Sequence, residues 1–348
     1  MQSNRHDTPL PPALTGSRDD LSPEGRARVR ALMGARPAAF LRELIFAWAV
    51  IVGAIVAAEY IDAWWATALA VLIVATRQNV LGLLVHEQAH HLGFASRWGD
   101  LFVNLTAAYP LIVLRVGDYA QVHLMHHKHF FEEQDPDFRR KSGDDWAFPM
   151  KRSHLLMLFA RDLFGLNFIR TFKGKKMQDG KATPFRRKMA IPGWVHGAWL
   201  AAAAAVLIAT GAWDIALLYW ILPLLTVFQV IVRWGALCEH KYNLPQAALE
   251  DSTPVITLSW WEKLLLPNLN FHLHLYHHYF ANVSFSNLPK LHEIFVAEDL
   301  VDEWNIFRGY GAFFRALTAL PEKAAEAAAG FGEKTPAVGS REAGQVQG

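Results

Sequence analysis

Three clusters of histidine carry the chemistry this chain can do: HEQAHH at His86–His91, HLMHH at His123–His127 and HLYHH at His274–His278. Of the 16 histidines, 11 fall in three short windows (His86–His91, His123–His129, His272–His278), which chance placement does not explain. Neutral imidazole is the commonest protein ligand for metals, and it suits iron, zinc and copper better than magnesium or calcium. His86 and His90 are four residues apart and share a helix face, whereas His91 is turned away from His86 by roughly 140°. His123 shares a face with His126 and His127, and His274 relates to His277 and His278 in the same way. The boxes offer about nine imidazoles, more than the four to six coordination positions of one ion. Two metal ions are the simplest reading.

Boxes so far apart in sequence need a fold that gathers them. The chain is 52% hydrophobic and 19% charged, against about 25% charged for a soluble domain. The apolar excess is concentrated. No Lys or Arg occurs between Glu43 and Thr76, or between Met189 and Val232. Each gap holds two crossings of about 20 residues joined by a tight turn. The expected crossings are Leu44–Ile61, Ala63 to about Leu84, about Trp194–Ala209, and about Trp213–Val232. The fold class is therefore an all-α integral membrane protein, with four transmembrane helices in two hairpins plus a cytoplasmic helical cap.

Charge orients it. The links at Glu59–Asp62 and Thr210-Gly211-Ala212 carry no basic residue, while Arg77–Lys188 holds 18 Lys and Arg against 11 Asp and Glu. The positive-inside rule then places the N-terminus, the basic segment and the C-terminal portion in the cytoplasm. Trp64 and Trp65 fall where an interfacial aromatic belt is expected. A helix from Ala63 to His86 rises roughly 35 Å against a hydrocarbon core of ~30 Å, so His86 emerges on the cytoplasmic side, as the other two boxes do. His240, just past the fourth crossing, lies at the same depth and is the candidate ninth ligand. Leu101–Leu114 is too short to span and is read as an interfacial helix or a re-entrant turn.

The remaining features are plainer. Residues 1–42 form a cytoplasmic N-terminal segment, 43–320 the membrane catalytic domain, and 321–348 a disordered tail. Met1–Leu21 reads as a disordered lead, and Ser22-Pro23-Glu24 opens a short helix. With Arg5, Arg18, Arg26, Arg28 and Arg30 and no early apolar core, the N-terminus is no signal peptide. The single Cys238 allows neither an internal disulfide nor a CxxC pair. His6, His154, His196 and His292 read as polar anchors, and His129 and His272 as either ligands or their supports. HEQAH also matches HExxH, in which two histidines bind zinc and the glutamate, here Glu87, activates water. That would be an intramembrane zinc protease. It leaves both HxxHH boxes without a purpose, since zinc takes three protein ligands.

The order HxxxHH, HxxHH, HxxHH around two pairs of crossings resembles the membrane fatty acid desaturase and hydroxylase family. HEQAHH is similar to its first box. In HLMHHKHFFEEQDPDF the second box is followed by Asp135-Pro136-Asp137, and HLYHHYFANVSFSNLPKLH resembles the third box with its downstream Asn-Leu-Pro. The likeness covers about Leu44 to Val296. Two positions depart from it: Ala281 stands where Pro is common, and Ala236 where some members place a water-holding Asn.

The resemblance implies a non-haem di-iron oxygenase. Two iron ions would be held by His86, His90, His123, His126, His127, His240, His274, His277 and His278, with O₂ as co-substrate. Acid–base catalysis does not break an unactivated C–H bond, and a redox cofactor carries such chemistry. The expected reaction puts a double bond into a fatty acyl or related lipid chain; the alternative is hydroxylation of a lipid or small metabolite. Glu87, Asp135 and Asp137 are expected to orient ligand imidazoles, against the plainer reading of Asp135-Pro136-Asp137 as a turn and helix cap. No HPGG, cysteine cluster or GxGxxG marks a fused electron carrier, so electrons are expected from a separate ferredoxin- or cytochrome-type protein. The basic residues Arg139, Arg140, Lys141, Lys173, Lys175, Lys176, Arg186, Arg187 and Lys188 suit anionic lipid headgroups or an acidic carrier. No nucleic-acid partner is expected.

Overall fold

The computed structural model describes residues 12–166, 190–242 and 244–319. The expected tail at 321–348, His6 and the basic residues Lys173, Lys175, Lys176, Arg186, Arg187 and Lys188 lie outside the described residues. The fold is mostly helical.

Helix α1 (Pro23–Leu32) starts as its sequence predicts, with Pro at the first turn and the Ser22 hydroxyl accepting the Gly25 N–H. The segment before it departs from expectation. Over the described part of Met1–Leu21, Ala13, Leu14 and Leu21 are buried, Thr15 N–H donates to the Leu300 carbonyl at 3.1 Å, and Asp302 N–H donates to Ala13 at 2.9 Å. The prolines suggested disorder, but these apolar side chains have a surface to bury against. Past α1, Gly34 N–H donates to Asn282 at 2.8 Å and Asn287 Nδ2 to the Leu32 carbonyl at 3.0 Å. The N-terminal segment thus straps the chain that follows the third box.

Among the described residues, four helices are long and apolar enough to cross a membrane. They are α2 (Pro37–Ile61) and α3 (Trp64–Ala89), and two from the second apolar stretch described below. Asp62 ends α2 in the left-handed conformation at φ 50°. Ala58, Ala66 and Ala70 form a buried small-residue cluster with Tyr219, the kind of contact that lets membrane helices approach closely. The Tyr219 hydroxyl donates to Glu59 at 2.7 Å. Val80, Leu81, Leu84, Val85, His86, Glu87, Gln88 and Ala89 are all buried, so the C-terminal end of α3 is enclosed by packed protein.

The segment expected to be too short to span is a bent helix. Helix α4 (Arg97–Val103) continues through a wide turn at Asn104–Ala108 and a tight one at Tyr109–Leu111. It meets α5 (Val116–Lys128) at 90°. Pro110 lacks an N–H, and Ile112 sits at φ 70°. Backbone groups turned out of a regular helix need partners. Trp48 Nε1–H donates to the Thr106 carbonyl at 2.9 Å and Trp220 Nε1–H to Pro110 at 2.7 Å, with the two indoles stacked at 5.4 Å. Asn104 Oδ1 accepts the Val116 N–H at 2.9 Å, which fixes the start of the helix bearing the second box.

Helices α6 (Pro136–Lys141) and α7 (Arg152–Leu163) follow. The remaining apolar pair is α8 (Gly193–Thr210), closed by Gly211 at φ 68°, and α9 (Trp213–Glu239), with a wide turn at Leu217–Ile221 just before Pro223. Shorter helices follow: α10 (Leu249–Ser252), α11 (Trp260–Leu265), α12 (His274–Tyr279), α13 (Leu288–Ala297) and α14 (Tyr310–Leu317). Strands β1 (Ile256–Thr257) and β2 (Phe307–Arg308) pair in parallel.

Candidate metal centre

Four elements bring the imidazoles together. His86 is on the last turn of α3 and His90 caps it. His123, His126 and His127 are on α5, His240 caps α9, and His274, His277 and His278 are on α12. All nine expected residues converge, in two groups. His86, His90, His123 and His277 each point a ring nitrogen to within 4.8 Å of the others. His127 joins them, its Nε2 lying 3.0 Å from His123 Nε2 and 3.1 Å from His277 Nε2. The second group is His126, His240 and His278, with His274 Nε2 3.1 Å from His278 Nε2. The groups are neighbours, since the His127 and His278 rings stack at 4.1 Å.

Each HxxHH box feeds both groups, and helix geometry says why. Residues i and i+4 are about 40° apart, but adjacent residues are about 100° apart. The adjacent pair His126 and His127 therefore divides between the groups, and so does the pair His277 and His278. The i,i+4 partners stay together: His123 with His127, His274 with His278.

The residues fit a metal. Both ring nitrogens of His86 are buried without a hydrogen-bond partner, a costly state unless something else binds them. The His126 Nδ1–H donates to the Asp135 carboxylate at 2.8 Å. With Nδ1 engaged in this way, Nε2 is the atom left to face the site, 3.2 Å from His240 Nε2. Burial, reinforced by neighbouring imidazoles, holds His123, His127, His240, His274, His277 and His278 well below the ordinary histidine range. The rings are neutral, the form that binds metal. Neither group includes a carboxylate or thiolate. Such an all-imidazole set suits iron, zinc or copper.

Of the three acids expected to orient ligands, one touches an imidazole. Asp135 does so while also capping α6, because Oδ1 accepts the Asp137 and Phe138 N–H groups and Oδ2 the Phe131 N–H. The cap reading and the orienting reading are both realised in that residue. Asp137 instead pairs with Arg140 and Lys141 at 2.6 and 2.7 Å, and those two cations hold its carboxyl low against the opposing pull of burial. Lys141 is buried and also reaches the Tyr242 hydroxyl, so it faces no lipid. Glu87 accepts the Phe285 N–H and a Ser284 hydroxyl. Its carboxylate ties the first box to the chain after the third and takes no place among the metal-facing atoms.

The other histidines lie elsewhere. His91 sits 3.8 Å from Asp100, His129 pairs with Glu132 at 2.9 Å, and His154 lies 3.3 Å from Asp145. His272 contacts Asn268 at 3.1 Å, His292 the Tyr276 hydroxyl at 2.7 Å, and His196 stacks on Tyr109. The structure adds Thr253, whose hydroxyl is 3.0 Å from His240 Nδ1, and an aromatic wall. Phe271 packs on His86 at 4.3 Å, Tyr119 on His123 at 5.4 Å, and Phe130 on His240 and His278 at 5.1 Å. No periodicity marks these four in the sequence. Ala236, at the expected Asn position, gives its carbonyl to the His240 N–H at 3.3 Å.

A helical integral membrane protein with a histidine-lined site at one end of its apolar helices is the class this architecture defines. The chain matches the family model described as fatty acid desaturase over residues 62–310, and it belongs to that family. It is similar to the dihydrorhizobitoxine desaturase of Bradyrhizobium elkanii, with 28% identity over 248 residues, covering 66% of this chain and 68% of the relative. Membership makes it an oxidoreductase of the desaturase and hydroxylase type.

Proposed function

We propose that this chain is an O₂-dependent membrane desaturase that uses two non-haem irons to place a double bond in a fatty acyl or related lipid chain. The observation that carries the reading is the sorting of nine buried or half-buried imidazoles into two adjoining groups. His86, His90, His123, His127 and His277 would hold one iron, and His126, His240, His274 and His278 the other. Iron supplies the redox chemistry that O₂ activation and C–H cleavage require. The chain's own residues do the rest. Asp135 fixes the His126 tautomer, and Thr253 holds the His240 ring. Phe130, Phe271 and Tyr119 keep water away from the imidazoles. A zinc protease finds less support, because Glu87 is committed to Phe285 and Ser284.

Four crossings in two hairpins, with the cap and both termini cytoplasmic, agree with the basic-residue asymmetry. Electrons come from a separate ferredoxin- or cytochrome-type protein. Metal analysis of purified protein tests the centre: about two irons per chain are expected, and zinc without iron would overturn it. Lipid profiling with active and inactive enzyme tests the substrate; an acyl pool with no new double bond removes it. The relative named for dihydrorhizobitoxine favours a second reading, a small-metabolite substrate. Turnover of dihydrorhizobitoxine without change in any acyl pool would establish that one. A new alcohol in place of the alkene would make the enzyme a hydroxylase.

A further inference from the structure

Helix α11 has its polarity inside out. Its one acid, Glu262, is only 7% exposed, while Trp260, Trp261, Leu264 and Leu265 are 77, 51, 61 and 66% exposed. The inversion is built in. The Glu262 carboxylate accepts the Ser259 N–H and hydroxyl and the Tyr310 N–H at 2.6–2.9 Å, which turns the acid toward the protein and the apolar side chains out. Contiguous exposed apolar surface of this kind marks an interaction site. This helix is not one of the four apolar spans.

Its depth follows from one hydrogen bond. Asn79 Nδ2 on α3 donates to the Pro267 carbonyl at 3.1 Å, two residues beyond the end of α11. Asn79 is fifteen residues along α3 from Trp64, or roughly 22 Å of a hydrocarbon core of ~30 Å. Two residues of chain reach at most ~7 Å. Leu265 therefore lies roughly 15–29 Å from the level of Trp64, in the half of the bilayer where α3 reaches the boxes, a range that extends to the boundary with the headgroups. Tryptophan favours that layer, and the exposed Lys263 suits anionic headgroups.

We infer that α11 lies in the bilayer interface on the cap side, with Trp260, Trp261, Leu264 and Leu265 set among lipid, and so anchors the chain leading into the third box. The inference rests on the membrane-crossing reading of α2 and α3. Nitroxide labels on full-length Leu264→Cys and Trp260→Cys protein in phosphatidylcholine–phosphatidylglycerol vesicles test it; native Cys238 is buried. Collisions with O₂, which partitions into lipid, are compared with those of a water-soluble nickel chelate. Val52→Cys on α2 serves as the lipid reference and Glu133→Cys as the water reference.

Both α11 labels should give an O₂-to-nickel ratio severalfold above Glu133→Cys. A ratio equal to that of Glu133→Cys, with Val52→Cys still oxygen-dominated, overturns the inference and leaves the crossings intact. Labels shielded from both reagents would mean a protein partner, a second copy or a carrier, and would overturn it as well. A nickel-dominated Val52→Cys would instead refute the crossings.

Discussion

Asp135 receives the Nδ1–H of His126 at 2.8 Å through the carboxylate that also collects three backbone N–H groups. The turn after the second box and the orientation of a candidate ligand are therefore one structural unit. Loss of Asp135 should separate into two effects according to its replacement.

Asp135→Asn keeps an acceptor for the cap but can present an NH₂ donor to His126, which favours the wrong tautomer. Iron affinity should fall roughly 10–100-fold, with a stability loss of about 1–3 kcal/mol because an NH₂ in place of Oδ2 strands the buried Phe131 N–H. Asp135→Ala should also destabilise the fold by about 1–2 kcal/mol through the lost cap. Metal titration beside thermal unfolding separates the two. Equal iron affinity in wild type and Asp135→Asn would refute the orienting role.

Glu87→Gln distinguishes desaturase from protease. Glutamine can still accept the Phe285 N–H and donate to Ser284, so iron content and turnover should stay within a few-fold of wild type. A zinc hydrolase with Glu87 as its base would lose about 10²–10⁴-fold. Glu87→Ala should be the damaging change, because it strands the Phe285 donor in a buried site at a cost of about 1–3 kcal/mol.

The boxes and apolar helices were legible in the sequence because residue type and charge gaps mark them directly. The four helices cover the expected crossings, although α3 runs on to Ala89 and α9 to Glu239, since packing around the boxes continues both helices. The partition of the imidazoles between two groups was half legible. The 100° between His126 and His127 forces them apart, but only the docking of α12 on α5 places His277 with His127. Thr253 and Phe130 were invisible, because no repeating pattern marks their contacts with His240: a chain turn 13 residues long brings Thr253 back to it, and Phe130 meets it across the fold. Asp137 was misjudged because one residue decides which way a carboxylate faces. Pro-rich composition hid the packing of Leu14 and Leu21.

Asn104→Ala should disturb the second box without touching it. The side-chain carbonyl accepts the Val116 N–H at the start of α5, and its removal leaves that buried donor unpaired for about 1–3 kcal/mol. A lower melting temperature, with iron retained at low temperature, is expected. Unchanged unfolding would show that water replaces the cap.

Arg233 and Asp162 form a buried ion pair between α9 and α7, with the guanidinium 4.7 Å over the Trp146 ring. Asp162→Ala leaves an uncompensated buried charge and should cost about 3–5 kcal/mol. The double variant Asp162→Ala/Arg233→Met should be less unstable than Asp162→Ala alone, since it removes that charge. Additive losses in a double-mutant cycle would contradict the pairing.

The two-group arrangement makes its sharpest prediction for neighbours in one box. His126→Ala and His127→Ala should each lower iron from about two per chain to about one and abolish turnover, because each removes a ligand from a different ion. Doubles then separate the groups. His126→Ala/His240→Ala alters one group and should retain about one iron, whereas His126→Ala/His277→Ala alters both and should retain almost none. His129→Ala and His196→Ala, outside both groups, should keep the full complement. Elemental analysis of the purified variants decides this; two doubles with the same iron content would show that the imidazoles do not sort as their geometry indicates.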